Sequence, residues 1–202
     1  MKRELRYFKT PVEIRSDDDG NQYAEGYAAR FNELSSPLGF GRHTFRERIA
    51  PDAFDEVLRT AQDVVALFNH NYDLPLGRVS NNELRLHADK NGLRYSVRLS
   101  QATYAQDLAI CLARRDVQAS SFGFTVADGG DSWERAADGS KIRTVHNIER
   151  VYDVSPVTLP AYPTATAEVA IRSLELFETE QLRLETSKRK AAERARWLTL
   201  EG

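Results

Sequence analysis

The stretch ELRLHADKNGLRYSVRL, residues 83–99, constrains the fold more than any other part of this chain. Leu84 and Leu86 alternate with polar residues on the way out, Leu93, Tyr95, Val97 and Leu99 on the way back, and Asn91-Gly92 lies in the connection. Period-2 alternation on both sides of an Asn-Gly pair specifies an antiparallel hairpin with one buried face. QYAEGYAARFN follows the same period, with Tyr23, Glu25 and Tyr27 on one face and Ala24, Gly26 and Ala28 on the other. DVVALFNH predicts a strand with Val64, Ala66, Phe68 and His70 sharing a face. VQASSFGFTV predicts another, and KIRTVHNIERVYDVSPVTL a further strand region bent or bulged midway.

Helical period enters in two places within this strand-rich stretch. APDAFDEVLRTA places Phe54, Val57, Leu58 and Ala61 at i, i+3, i+4 and i+7, with Pro51 suited to the first helical position and Asp52 to its positive end. TYAQDLAICLARRD puts Tyr104, Leu108, Cys111 and Leu112 on one stripe. ELSSPLGFGRHTFRERI predicts a long loop running into a short strand, and ADGGDSWERAADGS a polar, Gly-rich loop. After Ser173 the texture changes to Glu, Lys, Arg and Leu, with no Pro or Gly through Leu200, which predicts a helical tail, the segment over 173–202. Leu174, Phe177, Gln181 and Leu184 give that tail a thin stripe. The expected fold class is α+β, dominated by β: a small barrel with helices packed around it.

Composition narrows the function classes. A net charge of −2 gives no reason to expect a nucleic acid or an anionic membrane as partner. MKRELRYFKTPVEIRS has no apolar stretch after its basic residues, so no secretory signal is expected, and a reducing, cytoplasmic setting fits the single cysteine. Cys111 lies on the stripe of a helix, where an inert core thiol is the plainer account. No cofactor and no metal are expected. A metal-dependent hydrolase built on His70 and Asp73 would need further ligands, and no cluster with that spacing is present in the sequence.

Three positions could carry chemistry. His70 closes an apolar run and is followed by the polar turn NYDLPLGR, where a scaffold presents reactive groups. A half-buried ring holding an ordinary hydrogen bond accounts for the same pattern. In ASSFGF, Ser120 shares a face with Phe122 and Phe124, while Ser121 shares one with Gly123. If the Phe face is the core, Ser121 points to a face of small residues that leaves room for a substrate backbone. Both hydroxyls could instead cap backbone groups. Asp153 falls on a largely apolar strand face, where a carboxylate needs a compensating partner, either a histidine N–H or an arginine. His43 and His87 sit in a Gly-flanked loop and in the hairpin, where surface roles suffice.

The motifs GYAARFN, RERIAPDAFDEVL, ALFNHNYDLPLGR, GLRYSVRL, ASSFGFTV and YDVSPVTLPAYPTA, in this order, resemble the prohead proteases of tailed bacteriophages. These are capsid-maturation serine proteases related in fold to herpesvirus assemblin. The resemblance implies an assemblin-like barrel over a protease domain of residues 1–172, followed by the tail. It implies His70 as catalytic histidine, Ser121 as nucleophile with Ser120 the alternative, and Asp153 as third member where the family often carries Glu. Assemblin-type enzymes use a second histidine there, which keeps His146 as the alternative. The oxyanion donors are not legible, and ADGGDS is one candidate supplier of amides. The implied substrates are the phage major capsid protein or scaffold, and this chain itself near TATAEVAIRS, inside the assembling prohead in the host cytoplasm. A homodimer and a non-enzymatic assembly module are left open.

Overall fold

The computed structural model of the protein describes residues 3–158 and 167–200, the side chains of residues 168 and 195–200 excepted. Twelve strands and three α-helices are present among them. A five-stranded sheet has the order β1 (Glu4–Phe8), β9 (Ala119–Val126), β12 (Ile148–Val157), β5 (Val65–Leu67) and β6 (Pro75–Arg78). A four-stranded sheet follows the order β2 (Glu13–Ser16), β3 (Gln22–Arg30), β8 (Gly92–Arg98), β7 (Leu84–Ala88). A third joins β10 (Asp131–Arg135), β11 (Lys141–Val145) and β4 (Arg46–Ile49). The ladders of the described residues end at β1 and β6 and at β2 and β7, and do not link into one closed ring.

The hairpin over 83–99 forms as β7 and β8, with Leu84, Leu93, Tyr95 and Val97 turned into the core. That core lies where the four-stranded sheet faces β9, filled by Phe54, Phe122 and Phe124. The Phe122 and Phe124 rings stack at 4.6 Å, and Phe54 tilts onto Phe122 at 5.6 Å. Helix α1 is shorter than the pattern predicts, Asp55–Arg59, because residues 50–55 form i to i+3 turns before the helix begins. Helix α2, Thr103–Ala113, buries Ala105, Leu108, Ala109 and Leu112, with Cys111 partly covered. In the long strand region expected over 141–159, the described residues form β11 and β12 in different sheets. His146 and Asn147 leave the ladder and both donate their backbone N–H to the Gly130 carbonyl.

Two strands were not expected. The polar stretch over 127–140 contains β10, exposed or half-exposed along its length and therefore without hydropathic alternation. The charged N-terminus contains β1, whose Glu4 and Arg6 are buried. They join Glu47 and Arg143 in one ionic cluster linking β1, β4 and β11. Arg143 Nη1 bonds Glu4 Oε2 at 2.9 Å and Glu47 Oε2 at 2.8 Å, and Arg6 Nε bonds Glu47 Oε1 at 2.7 Å. Burial alone would push the Glu47 carboxyl up, but the Arg6 and Arg143 charges outweigh it and hold it below its usual value.

The contribution of Glu47 to stability is therefore complete above the unfolded glutamate value, near pH ~4.3. It is lost as pH falls through the lowered folded-state value. Glu47→Gln, which leaves the two guanidinium groups short of a counter-charge, is expected to lose roughly 3–5 kcal/mol in neutral urea unfolding. The gap to wild type should narrow in acid.

Helix α3 spans Glu168–Leu200. Ala167, Ala170 and Leu174 are buried against Leu38 and Phe45, with Trp133 and Phe177 alongside. Ser173 accepts from Trp133 Nε1 at 2.8 Å. The start of the helix thus packs on the sheets, while Leu176, Leu182 and Leu184 are exposed. No helix among the described residues is long and apolar enough to cross a membrane. Residues 164–166 of the expected self-cleavage region TATAEVAIRS lie outside the described residues.

Candidate active site

Strand β9 places its two serines on opposite faces, as pleating requires. Ser120 points into the core beside Tyr95, with its Oγ 3.1 Å from the phenol oxygen. Burial pushes the Tyr95 hydroxyl well above its usual value, so this pair is a neutral, closed contact. Ser121 faces the other way, together with Gly123. Cross-strand register sets Ser155 opposite Ser121 and Asp153 opposite Gly123 on β12, which gathers all four on one face. A Cβ added at Gly123 would lie 2.5 Å from Asp153 Oδ1, so a side chain at that position would displace the carboxylate.

His70 does not lie on a strand as the alternation predicts. Strand β5 ends at Leu67, and the ring is delivered by a turn in which Asn69 and His70 both adopt left-handed backbone, at φ 53° and 58°. Two consecutive non-glycine residues in this region are costly and persist only where surroundings over-determine them. Here Asn69 is tied to β12: its N–H donates to the Pro156 carbonyl at 3.0 Å, and its Oδ1 accepts from Thr158 N–H at 2.9 Å. The turn thereby carries the imidazole back over β12 toward β9.

The result is a continuous hydrogen-bonded line. His70 Nε2 lies 2.6 Å from Ser121 Oγ, and His70 Nδ1 lies 2.5 Å from Asp153 Oδ2. Asp153 and Ser155 are fully buried, and Ser121 is 1% exposed. Ser155 Oγ donates to the same Asp153 oxygen at 2.7 Å. The other carboxylate oxygen accepts from Arg3 Nη2. Ser121 Oγ also lies 3.0 Å from the Arg6 carbonyl. Because Asp153 accepts at Nδ1, that nitrogen carries the proton and Nε2 is left as an acceptor facing the hydroxyl.

The structure separates the alternatives from this line. His146 is exposed, with its Nε2 2.7 Å from Ser132 Oγ, and His43 lies beside Arg42 and Glu175. Asp73 is an exposed turn residue. Among the described residues no group of three His, Cys, Asp or Glu converges as metal ligands would. The Gly129-Gly130 turn follows Val126, so it begins about 17 Å along the strand from Ser121 and is too distant to supply oxyanion amides. Arg3, Tyr72 and Ser155 around Asp153 were not singled out in the sequence.

Residues 10–180 match the family model of the Caudovirus prohead serine protease. The chain belongs to that family. It is a serine protease by membership, and capsid maturation is the setting of the family. The structure of the bacteriophage T4 capsid assembly protease, gp21, is similar at a TM-score of 0.45 and 14% identity, over 79% of this chain and 100% of that one. No curated protein sequence matches.

Proposed function

We propose that this prohead protease hydrolyses peptide bonds with Ser121 as nucleophile, His70 as general base and acid, and Asp153 as the group that orients the imidazole. The observation that carries this reading is the unbroken line from Ser121 Oγ through both ring nitrogens of His70 to Asp153. In the first step Ser121 Oγ bonds to the scissile carbonyl carbon and its proton passes to His70 Nε2. The tetrahedral oxyanion collapses, the C–N bond breaks, and His70 returns that proton to the leaving amine. Water then attacks the acyl ester with the same proton route, and Ser121 recovers its hydrogen. Asp153 stays ionised throughout and stabilises the imidazolium. Ser121 is 1% exposed, with its hydroxyl held between the His70 ring and the Arg6 carbonyl.

The substrates of this reading are the scaffold or the scaffolding segment of the phage major capsid protein, and this chain itself. The setting is the assembling prohead inside the infected host. The domain of residues 1–172 would do the chemistry in an assemblin-like arrangement, and the tail over 173–202 would bind scaffold through the leucines left exposed past Phe177. The test is co-expression with the capsid protein, comparing wild type with His70→Ala and following both chains by intact mass. Cleaved capsid protein with wild type only is expected. Cleavage that persists in His70→Ala, or a capsid protein left whole by both, overturns the reading.

A further inference from the structure

Asp153 carries three donors where two would fix a histidine. His70 Nδ1 and Ser155 Oγ both bind Oδ2, and the Arg3 guanidinium binds Oδ1. The same guanidinium donates from Nη1 to the Tyr72 hydroxyl at 2.7 Å and lies over the Tyr72 and Tyr152 rings at 5.6 and 5.9 Å. Tyr72 stands two residues after His70 on the left-handed turn. Arg3 therefore ties three elements together: the N-terminal end of β1, the turn that delivers the imidazole, and β12. Gly123 keeps the space for it, since a Cβ there would run into the Arg3 guanidinium as well as the carboxylate. The family model begins at residue 10, downstream of Arg3 and β1.

We propose that Arg3 is a positioning residue for hydrolysis: it pins the free oxygen of Asp153, and through Tyr72 the His70 turn, so that the imidazole stays in line with Ser121. The proposal rests on the reading of Ser121, His70 and Asp153 given above. Two effects oppose each other. Arg3 Nη2 lies 3.4 Å from His70 Nδ1, where its charge disfavours an imidazolium. Against that, Asp153 is fully buried, and a buried carboxylate with one oxygen unpaired turns or gains a proton, which breaks the line to His70. A misplacement of about 1 Å costs on the order of a hundredfold in rate, so the loss of alignment outweighs the relief of repulsion.

The test uses the full chain and a fluorophosphonate, which reports the reactivity of a serine without a known peptide substrate. Wild type is expected to be labelled at Ser121, and Arg3→Ala about ten- to a hundredfold more slowly at a temperature where circular dichroism shows both chains still folded. Free guanidinium should restore part of the Arg3→Ala rate and leave wild type unaffected. Arg3→Lys should recover less than half, because an ammonium lacks the planar fork whose two separate nitrogens reach Asp153 and Tyr72. Unchanged or faster labelling of Arg3→Ala, or a slow rate that guanidinium leaves untouched, overturns the role of Arg3 while the catalytic reading stands. Failure of wild type to label at Ser121 overturns that reading and the role of Arg3 with it.

Discussion

With Ser121 as the proposed nucleophile, Ser121→Ala is expected to lower peptide hydrolysis by roughly 10⁴- to 10⁶-fold, because the members of a triad act as a unit. The neighbouring Ser120→Ala is expected to keep activity within a few-fold and to lose about 1 kcal/mol of stability with the Tyr95 contact. The contrast follows from β-strand geometry. The two hydroxyls are adjacent in the chain, yet one lies against His70 Nε2 and the other against Tyr95 Oη on the far side of β9. Rates from purified variants, with urea unfolding beside them, separate the two outcomes. A Ser120→Ala protein that is inactive but stably folded, beside an active Ser121→Ala, would reverse the assignment.

That division was legible because ASSFGF carries a period of two and bulky apolar side chains on one phase only. The hairpin and α2 were legible for the same reason: one buried face imposes one period. Asp153 was legible as a carboxylate needing a partner, and both candidate partners, a histidine and an arginine, turn out to hold it at once. The arginine is Arg3, 150 residues away in the chain, which no local pattern could reveal. Strand β1 was obscured by its own inner face, where Glu4 and Arg6 are buried in mutual ion pairs that hydropathy scores as surface. The His70 turn was obscured by an apolar run, residues 64–68, that continues to alternate past the last paired residue. Tertiary anchors, among them those of Asn69 on β12, stop the strand at Leu67 and rotate the imidazole onto β9.

Asp153→Asn is expected to reduce turnover by about 10⁴-fold at neutral pH while preserving the fold, and the reason lies in which end of the amide each neighbour can accept. Arg3 has only donors, so it holds the Asn oxygen at the Oδ1 position and turns the NH₂ toward His70. An NH₂ facing Nδ1 demands an acceptor there, which moves the ring proton to Nε2 and removes the lone pair that takes hydrogen from Ser121. Ser155 does not prevent this, because its hydroxyl can accept as readily as donate. The double variant Arg3→Ala/Asp153→Asn should then recover activity relative to Asp153→Asn alone, since the amide is free to turn its oxygen to His70. Such recovery is non-additive in the direction that a shared hydrogen-bond network produces. If the double variant is as slow as the product of the two single losses, Arg3 does not set the amide orientation. If Asp153→Asn retains near wild-type turnover, the orienting group for His70 must be sought elsewhere than on β12.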